Sequence, residues 1–281
     1  MMKRFESTFH GIKGTELFHQ TWQTADPIGT VVITHGLAEH SECYHHFAQV
    51  LTKSKWNVVG WDLRGHGRSE GKRGYVENFK DYVADLQILT EFLFKSEKVA
   101  EAGPVILFGH SMGGLIALCA LASQGDMGYR AICLSAPLLG IGVDIPKIKE
   151  KVAQWANRWL PRLTLYNEIH YEHLTRDKKI LNSYEKDPLR HDKISPQVFL
   201  GILENIQMVF QKVDSIQIPV FMQLSGQDKV ISTQVAESFY EQLSTPKKIL
   251  HIYPDSYHEI YNDLDKELAF RHLKEFLSEM V

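Results

Sequence analysis

Cysteine is scarce in this chain, and no apolar run is long enough to cross a bilayer. The 281 residues include 3 cysteines, Cys43, Cys119 and Cys133, and no two of them form a C-x-x-C pair. This odd number excludes a disulfide scaffold and favours a reducing compartment. The longest nearly apolar stretch, GGLIALCALA, falls short of the ~20 residues of a membrane-spanning helix, and no apolar segment follows the basic start. We therefore expect a soluble, cytoplasmic protein.

The chain also lacks a strong charge of either sign. Its 31 basic and 34 acidic side chains give a formal net charge of −3. No basic face indicates nucleic-acid binding, and no acidic tail indicates disorder. Apolar residues make up 44% of the sequence, which is enough for one sizeable core. We expect one domain whose partners are small molecules rather than nucleic acids.

Short apolar runs alternate with helical patterns along most of the chain. The first segment, FESTFHGIKGTELFHQTW, alternates apolar and polar residues around GIKG, which predicts an antiparallel hairpin. Continuous apolar runs, typical of parallel strands covered on both faces, predict strands at 30–35, 57–63, 104–109, 131–136, 219–226 and 247–254. Helical spacing lies between them, for example at 79–93. The sequence predicts an α/β fold with an open, mostly parallel sheet whose binding crevice lies beyond the carboxyl ends of the strands.

The segment 140–211 breaks this alternation, because it has two helical patterns and no strand pattern. The first helix follows Asp144, a plausible N-cap, and the last begins at Ser195 and Pro196, an N-cap followed by proline at the first helical position. We predict a helical cap at 140–211, inserted into a core formed by 1–139 and 212–281.

The first cap helix carries an apolar stripe with two open roles. The stripe consists of Ile145, Ile148, Val152, Trp155 and Trp159. We expect it to pack over the core and roof the pocket, which makes its members candidates for substrate binding. Because basic residues flank the stripe, the alternative is transient contact with a membrane surface, and both roles hold in turn if the cap moves.

The hexapeptide GHSMGG at 109–114 places a serine between glycines. A G-x-S-x-G pattern matches by chance in about one of ten chains of this length. The structural setting of the motif must therefore decide whether its serine is a nucleophile. Here Gly109 ends a predicted strand, Ser111 lies on the turn, and Gly113 and Gly114 begin a helix. In such a setting small neighbours let a strained serine project above a sheet. Ser111 is therefore the predicted nucleophile.

A serine nucleophile needs a base that takes its proton and an acid that orients the base. Only groups just past the carboxyl ends of strands can reach Ser111. SGQDKV places Asp228 there, and YPDSYHE places His258 there. The order Ser111, Asp228, His258 is that of an α/β-hydrolase. Asp144 also follows a strand and remains an alternative acid, whereas Asp255 is too close to His258 in the same loop to be an easy partner.

Backbone N–H groups are the expected donors to the oxyanion that acyl transfer creates. One is the Met112 amide, directly after the serine at a helix N-terminus. The other lies in HGLAEH, after the first parallel strand, where the Leu37 amide is expected to point inward. This chemistry requires no metal or cofactor. His45 and His46 also have no carboxylate or cysteine set nearby that would form a metal site.

With these residues in place, the chain resembles the monoglyceride lipase and lysophospholipase branch of the serine α/β-hydrolases. The similar blocks span nearly the whole chain and include HGLAEHSECYHHFA, DLRGHGRSEGKRGYVENFKDYVADL, GHSMGG, LTRDKKILNSYEKDPLRH, SGQDKVIS and IYPDSYHEIYND. The resemblance implies Ser111, Asp228 and His258 as the triad, and the Leu37 and Met112 amides as the oxyanion hole. It also implies a cap that shapes a tunnel for one acyl chain, and monoacylglycerols, lysophospholipids or similar single-chain esters as substrates.

The chain departs from the family pattern at three positions. Ala38 replaces a usual glycine, Cys43 a basic residue and Ser225 a histidine, and the first two lie near the predicted oxyanion loop. Other reactions also stay open, because aminopeptidases and acyltransferases share the same triad. A ligand-binding protein with a hydrolase body and no turnover is a further alternative.

Overall fold

The computed structural model describes residues 2–142 and 146–281. In this part of the chain the strands are β1 (Lys3–His10), β2 (Glu16–Gln23), β3 (Gly29–Thr34), β4 (Trp56–Trp61), β5 (Val105–His110), β6 (Ala131–Ser135), β7 (Leu165–Tyr166), β8 (Lys193–Ile194), β9 (Val220–Ser225) and β10 (Lys248–Tyr253). The α-helices are α1 (His45–Lys53), α2 (Lys80–Phe94), α3 (Glu97–Glu101), α4 (Met112–Gln124), α5 (Lys147–Trp159), α6 (Lys178–Tyr184), α7 (Pro196–Gln211), α8 (Thr233–Gln242) and α9 (Lys266–Ser278).

Eight strands form one sheet in the order β1-β2-β4-β3-β5-β6-β9-β10. β1 pairs antiparallel with β2, which confirms the predicted hairpin, and β2 also pairs antiparallel with β4. The other neighbouring pairs in this sheet are parallel. The six predicted parallel strands correspond to β3, β4, β5, β6, β9 and β10, and their bounds agree within two residues. The predicted mostly parallel sheet is confirmed.

Apolar layers cover both faces of this sheet. Successive residues of β3 point to opposite layers, so Val31 and Ile33 pack with α1 and α9, whereas Val32 packs with α2, α4 and α7. Full burial of each such side chain contributes about 1.5–3 kcal/mol. β10 differs from the prediction, because it lies at the edge of the sheet and Ile252 is exposed. The two-sided core holds the carboxyl ends of the central strands at one rim.

The segment between β6 and β9 contains α5, α6, α7 and the short antiparallel pair β7 and β8, which the sequence pattern did not predict. α7 begins as predicted, with the Ser195 hydroxyl accepting a hydrogen bond from the Val198 amide at 3.3 Å. α7 packs on α4, which directly follows Ser111. The division into core and cap at 140 and 211 stays a prediction.

The apolar stripe on α5 lies on the outside of the protein. The exposed fractions are 65% for Ile148, 56% for Val152, 61% for Trp155 and 63% for Trp159. α5 contacts α7, and among the side chains of α5 that the structure describes the buried one is the small Ala156. The prediction that these four residues roof the pocket is wrong, because the small side chain rather than the large ones faces the protein. Pro146 occupies the N-cap position of α5, and Asp144 and Ile145 lie outside the described residues.

Candidate active site

Ser111 occupies a sharp turn between β5 and α4. Its φ of +50° and ψ of −120° lie in a region that a residue with a Cβ rarely adopts. Two 3.0 Å hydrogen bonds hold the turn, from the Ser111 amide to the Ser135 carbonyl and from the Leu138 amide to the Ser111 carbonyl. Glycine is needed at 113, because a Cβ there would lie 2.1 Å from the Thr34 carbonyl oxygen. The predicted strand, turn and helix around Ser111 are confirmed.

Asp228 and His258 meet at the same rim of the sheet. Asp228 follows β9 and His258 follows β10, and His258 Nδ1 lies 2.8 Å from Asp228 Oδ2. The other carboxylate oxygen, Oδ1, accepts hydrogen bonds from the Val230 and Ile231 amides at 2.8 and 2.9 Å. The carboxylate is therefore fixed by its own loop. The structure pairs His258 with Asp228 rather than with the neighbouring Asp255.

The pairing changes the pKa of both groups. Burial lowers the pKa of His258, but the Asp228 carboxylate, with smaller contributions from Glu259 and Glu39, outweighs burial and raises that pKa above its ordinary value. Burial raises the pKa of Asp228, and His258 with the two backbone amides outweighs it, so the net shift is downward. Asp228 therefore stays ionised and supports a positive charge on the imidazole ring.

Ser111 and His258 line one cavity, and each is almost fully buried. Within the described residues the Ser111 hydroxyl forms no hydrogen bond. Contacts between a nucleophile and its base are often long in hydrolases and shorten when substrate binds. The structure thus brings the three predicted side chains to one site and leaves the serine hydroxyl without a competing partner.

The loop after β3 lies against the turn of Ser111. A Cβ on Gly36 would lie 3.2 Å from the Ser111 Cβ. Leu37 lines the cavity, and neither the Leu37 amide nor the Met112 amide donates a hydrogen bond to another described group. Ala38 has a φ of +68°, so this alanine keeps a backbone conformation that glycine adopts freely, at a strain of about 1–2 kcal/mol.

Glu39 fixes the predicted oxyanion loop, which follows β3, from within the protein. Its Oε1 accepts hydrogen bonds from the Gly36 amide at 2.5 Å and from the Tyr44 hydroxyl at 2.8 Å. Burial and the nearby Glu259 raise the pKa of Glu39 to about 7. The backbone of the predicted oxyanion donor is thus held by a buried carboxyl group that sequence reasoning did not identify.

Arg190 lies between two buried carboxyl groups. Its guanidinium nitrogens lie 3.4 Å from Glu259 Oε1 and 3.9 Å from Glu39 Oε2, and its Cζ lies 3.7 Å from the Tyr184 ring centroid. Glu259 directly follows His258. Arg190 therefore links the predicted oxyanion loop, the segment between β6 and β9, and the loop of the catalytic histidine candidate. No sequence pattern indicated this link, because the partners are distant along the chain.

The cavity has a volume of about 570 Å³, and residues 166–192 form its outer wall. The four described members of the α5 stripe are absent from its lining. Its aromatic and aliphatic lining within the outer wall consists of Tyr166, Ile169, Tyr171, Leu174, Leu181 and Tyr184. Sequence reasoning missed these residues because they lie in short elements that have no clear periodicity.

The chain matches the model of a known protein family. Residues 25–265 match the Hydrolase_4 family, described as Serine aminopeptidase, S33. The chain belongs to this family. It also spans 28% of the length of an abhydrolase domain-containing protein of Dictyostelium discoideum, to which 93% of the chain aligns with 27% identity.

Similar proteins of comparable length include lipases. A monoacylglycerol lipase of Mycolicibacterium smegmatis is 28% identical over 95% of this chain and 94% of that protein. A phospholipase of Bacillus subtilis is 24% identical over 93% of this chain and 99% of that protein. The solved structure of the Paleococcus ferrophilus monoacylglycerol lipase has a TM-score of 0.84 and 26% identity over the full length of both chains. The α/β-hydrolase fold and the resemblance to monoglyceride lipases are confirmed, and the chain is a serine hydrolase.

Proposed function

We propose that this serine ester hydrolase cleaves lipids with a single acyl chain, with Ser111 as the nucleophile. His258 is the general base, and Asp228 orients it. The observation that carries the proposal is the shared cavity, which Ser111 lines from a strained turn and which His258 lines while bound to Asp228. The similarity to proteins named monoacylglycerol lipase supports the class of substrate.

The reaction begins when His258 Nε2 takes the proton of the Ser111 hydroxyl as Oγ attacks the ester carbonyl carbon. The carbonyl π electrons move to the oxygen, and the Leu37 and Met112 amides donate hydrogen bonds to the oxyanion. The ester C–O bond then breaks, and the alcohol leaves with the proton from His258. Water, deprotonated by His258, attacks the acyl carbon of the acyl-enzyme. The bond between this carbon and Ser111 Oγ then breaks, and His258 returns the proton to Oγ as the fatty acid leaves.

The charges around the cavity favour a neutral headgroup. Its carboxyl side chains are Glu39, Glu172, Glu185, Asp187, Asp192 and Glu259. Among the described lining residues the one lysine or arginine is Arg190, and its charge is taken up by Glu39 and Glu259. A phosphate headgroup would meet the negative charge of Glu172 and Glu185, which form no ion pair with a described lysine or arginine. We infer that monoacylglycerols are better substrates than lysophospholipids with anionic headgroups.

The exposed stripe on α5 supports transient contact with a membrane surface. Exposed apolar residues continue from the stripe through Leu163 and Leu165 to Tyr166, which also lines the cavity. Exposed Lys151 and Arg158 lie on the same helix. An apolar face with tryptophan and basic residues is typical of helices that lie in the headgroup region of anionic bilayers. Separately, none of the helices in 2–142 and 146–281 has the length and apolarity to cross a bilayer.

Peptide hydrolysis is the second candidate, because the family description names an aminopeptidase. Glu172 and Glu185 line the cavity, and no described lysine or arginine pairs with them. Such carboxylates would attract the free α-amino group of a peptide. These two carboxylates do not identify the bond that is cleaved. Amino-acid amides are therefore included among the substrates assayed below.

A hydrolysis profile tests the proposal. The protein is assayed on monoacylglycerols and lysophospholipids of graded chain length and on amino-acid amides, with Ser111→Ala as the control. The proposal expects the highest kcat/KM on a monoacylglycerol and no hydrolysis above background by Ser111→Ala. Hydrolysis of the amides without hydrolysis of the esters would overturn it in favour of the aminopeptidase.

A further inference from the structure

Three side chains of the types that bind zinc meet beside the cavity. His40 Nε2 lies 2.9 Å from Asp187 Oδ2 and 3.5 Å from Cys43 Sγ. One ligand atom of each residue lies within 4.8 Å of the other two. We propose that His40, Cys43 and Asp187 form a binding site for one Zn²⁺ ion. None of the three takes part in the hydrolysis proposed above.

The separations between these atoms are close to those of a tetrahedral zinc site. Zinc bonds of about 2.0–2.3 Å to nitrogen, oxygen and sulfur place neighbouring ligand atoms roughly 3.3–3.6 Å apart. The distance from His40 Nε2 to Cys43 Sγ, 3.5 Å, already falls in this range. The distance from His40 Nε2 to Asp187 Oδ2 must widen by only a few tenths of an ångström. The third separation, between Cys43 Sγ and Asp187, is at most 4.8 Å, so side-chain rotation has to shorten it by at most about 1.2 Å.

The type of ligand decides which metal this site prefers. A thiolate with an imidazole favours zinc over magnesium and calcium, which take oxygen ligands. His40 is fully buried, whereas 24% of the Asp187 side chain is exposed, and Asp187 lines the cavity. Water from the cavity would supply the fourth ligand, as in zinc sites with three protein ligands.

The charges around the three residues also favour a cation. The carboxyl groups of Glu39 and Glu259 lie near the proposed zinc ligands, in addition to Asp187 itself. The guanidinium of Arg190 is the positive group among them. When the three carboxyl groups are ionised, their charge exceeds that of the one guanidinium, and the surroundings of the proposed site are negative. A divalent cation would therefore reduce unfavourable repulsion between buried groups.

The proposed site joins two parts of the protein that form the cavity. His40 follows the oxyanion loop, and Asp187 belongs to the outer wall. The existing links between these parts include the hydrogen bond between His40 and Asp187, one of 3.2 Å from the His191 amide to the Ala38 carbonyl, and the approach of Arg190 to Glu39 at 3.9 Å. A bound ion would hold the wall to the oxyanion loop more firmly than either hydrogen bond.

Cadmium provides a direct probe, because Cd²⁺ bound to a thiolate gives an ultraviolet charge-transfer band. Chelator-treated full-length protein is titrated with Cd²⁺, and Zn²⁺ is then added as a competitor. The proposal expects a band that saturates at one ion per chain and disappears as Zn²⁺ is added. In Cys43→Ser the band is lost although Cys119 and Cys133 remain. In Asp187→Asn the affinity falls at least about tenfold.

Asp192→Asn is the matched control, because Asp192 also lines the cavity but lies outside the proposed site. It should bind Cd²⁺ as tightly as the parent protein. A parent protein without a saturable band, or an undiminished band in Cys43→Ser, would overturn the proposal. If circular dichroism shows that Cys43→Ser is unfolded, His40→Gln and Asp187→Asn decide, and parental Cd²⁺ affinity in both would refute the site.

Discussion

His258 Nδ1 and Asp228 Oδ2 lie 2.8 Å apart, and only 3% of the histidine side chain and none of the aspartate side chain are exposed. Because the pair is removed from water, the carboxylate fixes the orientation of the ring and stabilises its charged form. The ring nitrogen left for proton transfer is Nε2. The rate of hydrolysis and its pH dependence both depend on this contact.

Asp228→Asn should lower kcat for ester hydrolysis by about 10³–10⁴-fold, because an amide no longer holds the required tautomer or supports the imidazolium. Steady-state kinetics on a monoacylglycerol measure the loss, with circular dichroism to check folding. Asp255→Asn is the matched control in the loop of His258 and should lower kcat less than about tenfold. Equal losses in the two variants would contradict the assignment of Asp228.

Hydrolysis should increase with pH as His258 loses its proton. The base must be neutral to accept the serine proton, and Asp228, together with Glu259 and Glu39, outweighs burial and raises the pKa of His258. The midpoint of the acidic limb of kcat/KM should therefore lie above about 6.5, the ordinary histidine value. Asp228→Asn should move this midpoint downward, because burial is then opposed only by the weaker influence of Glu259 and Glu39. An unchanged midpoint would contradict this account of His258.

Arg190→Met should lower the free energy of unfolding by about 3–5 kcal/mol, because it leaves Glu39 and Glu259 buried without a cation. Urea denaturation followed by circular dichroism measures the change. Arg158→Met, at an exposed position of α5, is the control and should change stability by less than about 0.5 kcal/mol. Similar small changes in both variants would show that Arg190 does not hold the buried carboxyl groups together.

The double variant Trp155→Ser and Trp159→Ser should reduce binding to vesicles that contain anionic lipid, because it removes two exposed aromatic side chains from α5. Co-sedimentation with vesicles measures binding, and hydrolysis of a short soluble ester should stay within about twofold. Leu264→Ser removes another exposed apolar side chain outside α5, and it should leave vesicle binding intact. Retained binding by the tryptophan variant would contradict membrane contact through α5.

The strands and the three candidate catalytic residues were predictable because they depend on local patterns and one topological rule. Buried parallel strands such as β5 are continuous apolar runs, and their carboxyl ends meet at one rim. Ser111, Asp228 and His258 each follow such a strand, so their proximity did not require knowledge of side-chain packing. The location in the cytoplasm stays a prediction.

The outer wall of the cavity was not predictable in this way. Periodicity identified the apolar stripe of α5, but it does not state which face of a helix meets the protein, and the small Ala156 rather than Trp155 gives the contact. Residues 166–192 have no long periodic element. The contacts of Arg190 with Glu39, and of His40 with Asp187, join residues far apart in the chain, and one sequence carries no local sign of them.

A covalent probe tests the central claim most directly. The protein and Ser111→Ala are incubated with a fluorophosphonate that carries one long alkyl chain, then digested, and the adduct is located by mass spectrometry. The account predicts a single adduct on Ser111, loss of ester hydrolysis in proportion to labelling, and no adduct in Ser111→Ala. Full hydrolysis by a completely labelled protein, or by Ser111→Ala with its fold intact, would contradict it.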